Sequence, residues 1–332
     1  MKQMIALLTA MILLLTLPAC GAQPARTARD REVFAMDTVM ELRVYDSNDA
    51  VLDEMDAALA ALSRELNAED DNGGLYALNR AGGGENAAIA DLVRRAAALS
   101  ARTGGALDVS LHLASLAWGF PSKRYSIPTE ADLTELANHC GMRLVGCAGD
   151  WITLQNGAEL DLGAIAKGYA ADRCRAILER AGVSGILSLG GNIQTVGKKP
   201  DGTDWTVAIL DPDDPGSYLL TMTVTGTKSV VTSGDYQRFF ERDGARYCHI
   251  LNPETLSPAR NGLRMVTIVA DEGFLADGLS TALFVMGQDR GIEFWRAGND
   301  FEAVWLTEDG TVTVTEGLED RISYKNAEVV RR

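Results

Sequence analysis

The sequence predicts a mixed α/β (α+β) fold, with one compact domain of mixed β-sheets and flanking helices over residues 33–332. Of the 332 residues, 46% are hydrophobic and 23% are charged, which supplies a large apolar core and argues against a disordered chain. Segments with strand-like alternation and segments with helix-like apolar spacing follow one another along the chain. Because no internal repeat or linker-like break follows residue 33, we expect a single domain.

The first half of the chain alternates short strands with amphipathic helices. Residues 33–45 alternate in polarity and are predicted to form a strand, whereas residues 50–66 repeat apolar side chains at helical intervals. A second helix is predicted at 86–102, closed by a glycine pair, and a Pro-Thr pair opens a short helix at 128–139. Two further strands are predicted, at 151–154 and 159–162.

The second half contains the longest apolar-faced helix and most of the strands. The helix at 164–181 stops at Gly182, and a buried strand at 186–189 ends in another glycine pair. Further helices are predicted at 273–286 and 290–297. Further strands are predicted at 205–210, 218–224, 229–232, 265–270, 301–306 and 311–314, and the last two close the sheet.

The composition excludes several classes of partner and site. A net charge of −15 repels nucleic acid and anionic lipid, so attachment to a membrane would need a covalent anchor. Five cysteines and three histidines, without a Cys-x-x-Cys pair, are too few and too scattered for a zinc site. Cys174 lies on an apolar helix face, which favours a buried free thiol, and disulfide pairing stays open for Cys140, Cys147 and Cys248.

The N-terminus predicts secretion and a lipid anchor. Lys2 precedes an apolar run of 13 residues at 5–17, which is too short to span a bilayer. A Leu-Pro-Ala sequence before Cys20 resembles the lipobox of bacterial lipoproteins. We therefore expect a signal peptide at 1–19, a diacylated Cys20, a flexible tether at 20–32, and a location on the extracytoplasmic face of the cell membrane. The alternative is an ordinary signal peptide with a chance cysteine.

The segment at 160–172 predicts an anion site at a helix start. Gly163 permits a tight turn after Asp161, and the first N–H groups of a helix suit a pyrophosphate. Lys167 lies in the first turn, where a cation opposes the helix dipole unless an anion is close. The alternative is that Asp161 only caps the helix and that Lys167 is solvated.

Two other segments carry groups suited to phosphate chemistry. Asp277 and Thr281 are four residues apart and share one helix face, and their oxygens are ligands that Mg²⁺ accepts. The alternative is a capping Asp277 and a Thr281 bonded to a carbonyl. His249, at a strand end before a proline turn, is a candidate general base near neutral pH or else a structural histidine.

In this order and spacing, these segments resemble the FAD:protein FMN transferases, the ApbE-like flavin transferases, from about residue 34 to residue 287. The motifs that carry the resemblance are AMDT at 35–38, LYALN at 75–79, TGGALDVS at 103–110, AWGF at 117–120, LDLGAIAKGYAAD at 160–172, GGNI at 190–193, TSGDY at 232–236, HI at 249–250 and AD at 276–277.

The resemblance implies a T-fold-related flavin-transferase architecture and an Mg²⁺-dependent enzyme with FAD as its substrate. Such an enzyme splits FAD, joins FMN by a phosphoester bond to a threonine or serine of a target redox protein, and releases AMP. It implies that the metal is bound by the Ala164 carbonyl, Asp277 and Thr281. It implies FAD contacts at Met36, Ala106, Leu107, Asp108, Asp161, Lys167, His249, Ile250 and Leu251.

The resemblance also suggests acceptors and leaves two other activities open. Expected acceptors are flavin-accepting subunits of Rnf-type or Na⁺-pumping NADH:quinone oxidoreductase complexes, or other secreted flavoproteins. Attack by water would make the chain an FAD pyrophosphatase, and no reaction would make it a non-catalytic FAD-binding lipoprotein. In the transferase, His249 would act as the base, Lys167 would neutralise charge, and Asp277 would hold the metal.

The chain departs from the family pattern at several positions. Glycine is common in the family where Asp37 and Leu256 stand, phenylalanine where Leu107 stands, and an acidic residue where Asn252 stands. A serine expected near Gly73 is absent. Since the metal and lysine positions keep the pattern, these departures concern flavin packing more than the chemistry.

Overall fold

The computed structural model describes residues 27–214 and 216–332 and contains a nine-stranded sheet. Neighbouring strands of this sheet run antiparallel, except for the last two, which run parallel. In spatial order the strands are β1 (Ala28–Ala35), β2 (Thr38–Tyr45), β6 (Ser184–Leu189), β7 (Asn192–Val196), β10 (Lys228–Gly234), β15 (Leu263–Ala270), β16 (Phe301–Thr307), β17 (Val312–Thr315) and β18 (Glu328–Val330).

Smaller sheets and helices surround the large sheet. A three-stranded sheet and three hairpins comprise β3 (Gly83–Glu85), β5 (Trp151–Leu154) and β4 (Val145–Ala148); β8 (Trp205–Leu210) and β9 (Tyr218–Val224); β11 (Phe239–Arg242) and β12 (Ala245–Cys248); and β13 (Leu251–Asn252) and β14 (Ser257–Pro258). The helices are α1 (Asp49–Glu65), α2 (Gly74–Ala81), α3 (Ala87–Arg102), α4 (His112–Trp118), α5 (Glu130–Leu136), α6 (Gly163–Ala181), α7 (Gly273–Met286) and α8 (Gln288–Ala297), with 3₁₀ turns at Met142–Leu144 and Glu316–Arg321. In the part of the chain that the structure describes, no helix is long and apolar enough to cross a membrane.

The large sheet is buried on both faces. Successive side chains of a strand point to opposite faces, and β15 shows the consequence. Val266 and Ile268 pack into the core that contains α3, α7 and α8, whereas Met265 packs with the hairpin β8–β9 on the opposite face. This double burial explains why the sequence at 265–270 is almost continuously apolar.

The predicted strand at 33–45 is two strands, because the chain reverses at Met36 and Asp37. Both residues have positive φ, 51° and 58°, and they connect β1 to β2. The turn lacks the glycine that usually marks such a reversal, although aspartate tolerates this conformation better than most residues. Residues 28–32, predicted as tether, belong to β1, whereas tether residues 20–26, which include Cys20, and the signal peptide lie outside the described residues.

The predicted strand at 159–162 is wrong, since these residues pair with a side chain and not with a strand. The Asn79 amide accepts from the Leu160 N–H at 2.8 Å and donates to the Leu160 carbonyl at 2.9 Å. Leu160 and Leu162 are buried, so the apolar alternation was real. The helices α2 and α4 and the strands β3, β4, β7, β11, β13, β14 and β18 were not predicted. Because β18 pairs with β17, the large sheet ends at β18 and not at the predicted strand 311–314. Cys174 is a buried free thiol, as predicted, and Cys140, Cys147 and Cys248 are also unpaired.

Candidate active site

Two helices of the core touch backbone to backbone, and this contact positions the site. A Cβ atom on Gly168 of α6 would lie 2.1 Å from the Gly273 carbonyl oxygen of α7, and one on Gly273 would lie 2.3 Å from the Gly168 oxygen. Asp172 of α6 accepts hydrogen bonds from the N–H groups of Gly273 and Phe274, each at 2.8 Å. Asp172 therefore caps α7 from the neighbouring helix and fixes where α7 begins.

Asp277 projects from α7 onto the first turns of α6. Its side chain is buried, and Oδ2 accepts a hydrogen bond from the Gly168 N–H at 2.7 Å. In a regular helix that N–H would bond to the Ala164 carbonyl, so the carbonyl and the carboxylate lie beside the same donor. Burial raises the pKa of Asp277, while the charge of Lys167, the Gly168 N–H and the Asn192 amide act in the opposite direction.

A chain of hydroxyl groups links Asp277 to Thr281. The Ser280 hydroxyl donates to the Asp277 carbonyl at 2.8 Å, and its oxygen lies 2.8 Å from the Ser233 oxygen of β10. The Ser233 oxygen lies 3.3 Å from the Thr281 oxygen. In the sequence Ser233 stands only within the TSGDY motif, and its contact with two residues of α7 was not predicted.

The donor set of this corner fits Mg²⁺. A carbonyl oxygen, a carboxylate and a hydroxyl are hard ligands, and a nearby cation would stabilise the ionised form of the buried carboxylate. Among residues 27–214 and 216–332, no cluster of three or more His, Cys, Asp or Glu side chains could hold a metal. A metal at Ala164, Asp277 and Thr281 would therefore complete its shell with water or substrate phosphate, as Mg²⁺ usually does.

His249 is held as a neutral imidazole with one nitrogen available. Its Nδ1 lies 3.3 Å from the Arg238 carbonyl oxygen, and its backbone N–H donates to the same oxygen at 2.9 Å. Because a carbonyl only accepts, Nδ1 carries the proton and Nε2 has the free lone pair. Burial, together with the charges of Arg238 and Lys167, lowers the pKa of His249 to about 4. This pKa lies below the titration near neutrality that the sequence suggested for His249.

Lys167 connects the two halves of the site. Its charge lowers the pKa of His249 and opposes the rise in the pKa of Asp277. Lys167 lies in the first turns of α6, where a positive charge is unfavourable next to the helix dipole. The structure offers a relieving anion, since the Asp277 carboxylate packs on the first turns of α6 and interacts with the charge of Lys167.

The predicted FAD contacts differ in what they can offer a ligand. Asp161 accepts from the Gly163 N–H at 2.8 Å, so its carboxylate is hydrogen-bonded to the first residue of α6. Asp108 accepts from the Ser110 N–H and hydroxyl and from the Met142 N–H, at 2.8, 2.5 and 3.0 Å. Both carboxylates shape the loops around the site. The Asp161 N–H also donates to the Val109 carbonyl at 2.8 Å, which ties these two loops together.

Several other predicted contacts have buried side chains. Leu107 is 1% exposed, and Ala106, Ile250 and Leu251 are also buried in apolar clusters, so mainly their backbone groups remain for FAD. Met36 is half-buried in the β1–β2 turn, and its N–H donates to the Ser63 hydroxyl at 2.8 Å. A small cavity adjoins Ala106 and is lined by residues of the 104–106 and 252–254 loops with Val285 and Arg290. A larger surface cavity around Ile127 and Leu136 contains none of the predicted site residues.

Comparison with known proteins identifies the family. The family model described as the ApbE family matches residues 36–305. The chain belongs to the ApbE family. A relative from Treponema pallidum (strain Nichols), named FAD:protein FMN transferase, is 31% identical over 338 residues and covers 94% of this chain and 93% of its own length. A Haemophilus influenzae protein of the same name is 33% identical over 247 residues, which are 69% of each chain.

Solved structures of the ApbE family confirm the fold class. The ApbE protein of Thermotoga maritima superimposes with a TM-score of 0.82 and 28% identity, covering 88% of this chain and 98% of that one. The flavinyl transferase ApbE of Pseudomonas stutzeri, in its apo form, gives a TM-score of 0.79 and 28% identity, covering 89% and 97%. The mixed α/β architecture and the resemblance drawn from the sequence motifs are both confirmed.

Proposed function

We propose that this chain is an FAD:protein FMN transferase that attaches FMN to a threonine or serine of a target redox protein and releases AMP. The observation that carries the proposal is the packing of the buried Asp277 against the first turns of α6 next to Lys167, whose charge also acts on His249. Family membership supports it, because curated relatives bear that name. Of the other activities considered, FAD hydrolysis and simple FAD binding are separate outcomes of the test below.

The acceptor hydroxyl would attack the FMN-side phosphorus, and the bond from that phosphorus to the AMP oxygen would break. His249 Nε2, the free lone pair of the ring, would take the hydroxyl proton. The ammonium of Lys167 and the N–H groups at the start of α6 would stabilise the charge on the phosphate oxygens. Mg²⁺, held by the Ala164 carbonyl, Asp277 and Thr281, would add Lewis-acid neutralisation of those oxygens.

The pKa of His249 makes the pH dependence specific. A base must be unprotonated, so the rate falls as the pH drops through the pKa of the base. The profile of kcat/KM reports the free enzyme, and its acid limb is expected near pH 4. Bound FAD brings two negative charges, which favour the imidazolium, so the acid limb of kcat should lie at higher pH. If the acid limbs of kcat and kcat/KM coincided near pH 6–7, the low pKa of His249 would be contradicted.

The decisive test weighs a candidate acceptor by mass spectrometry after incubation with FAD and Mg²⁺. FMN on the acceptor supports transfer, FMN that forms without an acceptor shows hydrolysis, and unaltered FAD leaves only binding. Asp277→Asn should lower the rate at least 100-fold, on the order of an electrostatic contribution of about 3 kcal/mol. The control is Asp271→Asn, since Asp271 is exposed, lies just before α7 and pairs with Lys228.

We further propose a lipid anchor at Cys20, which would place the enzyme on the extracytoplasmic face of the cell membrane. The support is the lipobox-like sequence before Cys20 and the short apolar run. Acceptors would then be flavin-carrying proteins on that face, such as subunits of Rnf-type or Na⁺-pumping NADH:quinone oxidoreductase complexes.

A further inference from the structure

Arg238 and His249 form a cross-strand pair at the open end of the β11–β12 hairpin. The hairpin pairs Phe239 with Cys248, and the next opposed positions are Arg238 and His249, joined by the N–H···O bond of 2.9 Å. Directly opposed residues of an antiparallel ribbon have side chains on the same face. The Arg238 side chain therefore lies on the face that presents the imidazole ring.

The charges around this pair lack a partner anion. Arg238 is exposed, and within residues 27–214 and 216–332 its guanidinium makes no hydrogen bond or ion pair, whereas Arg246 and Arg264 both pair with Asp235, at 3.4 and 3.1 Å. The Lys167 ammonium also has no ion pair in this part of the chain, although its charge reaches Asp277 and His249. Two cations without an ion pair among the described residues thus act on the same imidazole ring.

We propose that Arg238 is a phosphate-binding residue, whose guanidinium holds an oxygen of the FAD diphosphate opposite Lys167. An anion between the two cations removes their mutual repulsion, and the planar guanidinium matches phosphate oxygens in a bidentate manner. Arg238 is exposed to solvent on the hairpin, whereas Lys167 belongs to the first turns of α6. The diphosphate would then pass directly in front of His249 Nε2. This inference rests on the proposed function and extends it by one residue.

The first test compares binding of diphosphate and non-diphosphate probes. FAD is titrated in EDTA, and ADP and riboflavin are titrated with Mg²⁺, for the parent, Arg238→Gln and Arg242→Gln. Arg242 is the matched control, because it is an exposed arginine of the same hairpin. Loss of a charged hydrogen bond predicts about 10- to 100-fold weaker FAD and ADP binding for Arg238→Gln. Riboflavin binding should change less than about 2-fold, as should all three affinities of the control.

A second readout separates phosphate binding from a structural role. The groups that face His249 are Arg238, Lys167 and the edge of the Phe120 ring. Arg238→Gln keeps the backbone carbonyl that orients the imidazole, so an NMR titration should show a higher pKa for His249 and unchanged folding. ADP should raise the pKa of His249 in the parent, and Arg238→Lys, which keeps the charge, should restore part of the ADP affinity.

Each result decides between the two claims. If Arg238→Gln binds FAD and ADP like the parent, or loses riboflavin equally, the phosphate role of Arg238 is refuted while FMN transfer by the parent still stands. If the parent binds neither FAD nor ADP, both the proposed function and this inference fail.

Discussion

The Gly168→Ala substitution tests whether contact between α6 and α7 sets the site. The added methyl group would lie 2.1 Å from the Gly273 carbonyl oxygen and 2.6 Å from the Asp277 Cβ atom. Non-bonded heavy atoms prefer about 3.5 Å, so the helices would have to separate by roughly 1 Å. No flexible side chain can yield instead, because one of the two obstacles is backbone.

Two free-energy terms oppose each other in this variant. Overpacking of a core costs about 1–3 kcal/mol, whereas alanine favours a helix over glycine by about 1 kcal/mol. The free energy of unfolding should therefore fall by about 0–2 kcal/mol. Activity should fall further, because the Gly168 N–H that bonds Asp277 at 2.7 Å moves with the helix. A misplacement of about 1 Å costs about 100-fold in rate.

The assay pairs urea unfolding with FMN transfer measured against Mg²⁺ concentration. Gly182→Ala is the control, since Gly182 ends the same helix with a φ of 68° and no atom would lie within 4 Å of its Cβ. That variant should lose about 1–2 kcal/mol through backbone strain alone and keep its turnover. A Gly168→Ala enzyme with the parent's turnover and the parent's Mg²⁺ dependence would refute the packing argument.

Three further substitutions test other contacts. Asp172→Ala removes the carboxylate that accepts both hydrogen bonds at the start of α7. Urea unfolding should show a free energy of unfolding lower by about 1–2 kcal/mol, and FMN transfer should need a higher Mg²⁺ concentration. An unchanged urea midpoint would show that the cap is dispensable. Leu256→Gly relieves the strain of a positive φ of 53°, which gains about 1–2 kcal/mol, but it removes a buried leucine side chain, which costs about 2–5 kcal/mol. The variant should therefore unfold at a lower temperature than the parent. A higher unfolding temperature would contradict this balance. Cys20→Ala should move the protein from the membrane to the soluble extracytoplasmic fraction or block its maturation. Unchanged fractionation with the membrane would contradict the proposed lipid anchor.

Local periodicity was enough to predict most helices and strands. The bounds of α7 and of the hairpin strands β8 and β9 agree with the prediction, because apolar spacing and the residues that end an element act over a few neighbouring positions. The same locality explains the errors. The turn at Met36 and Asp37 lacks the usual glycine, and the run at 159–162 bonds to Asn79, which is 81 residues away from Leu160.

The sequence by itself determined the chemical inventory of the site, because Lys167, Asp277, Thr281 and His249 stand in recognisable motifs. Only the tertiary structure decided how they act together. The low pKa of His249 arises from burial and from the charges of Arg238 and Lys167, which lie on two segments distant in sequence. Arg238 has no ion pair with Asp235 because that carboxylate pairs with Arg246 and Arg264. Desolvation and Coulomb interactions depend on distance in space, and the chain sets that distance only when Gly168 and Gly273 bring two helices into contact.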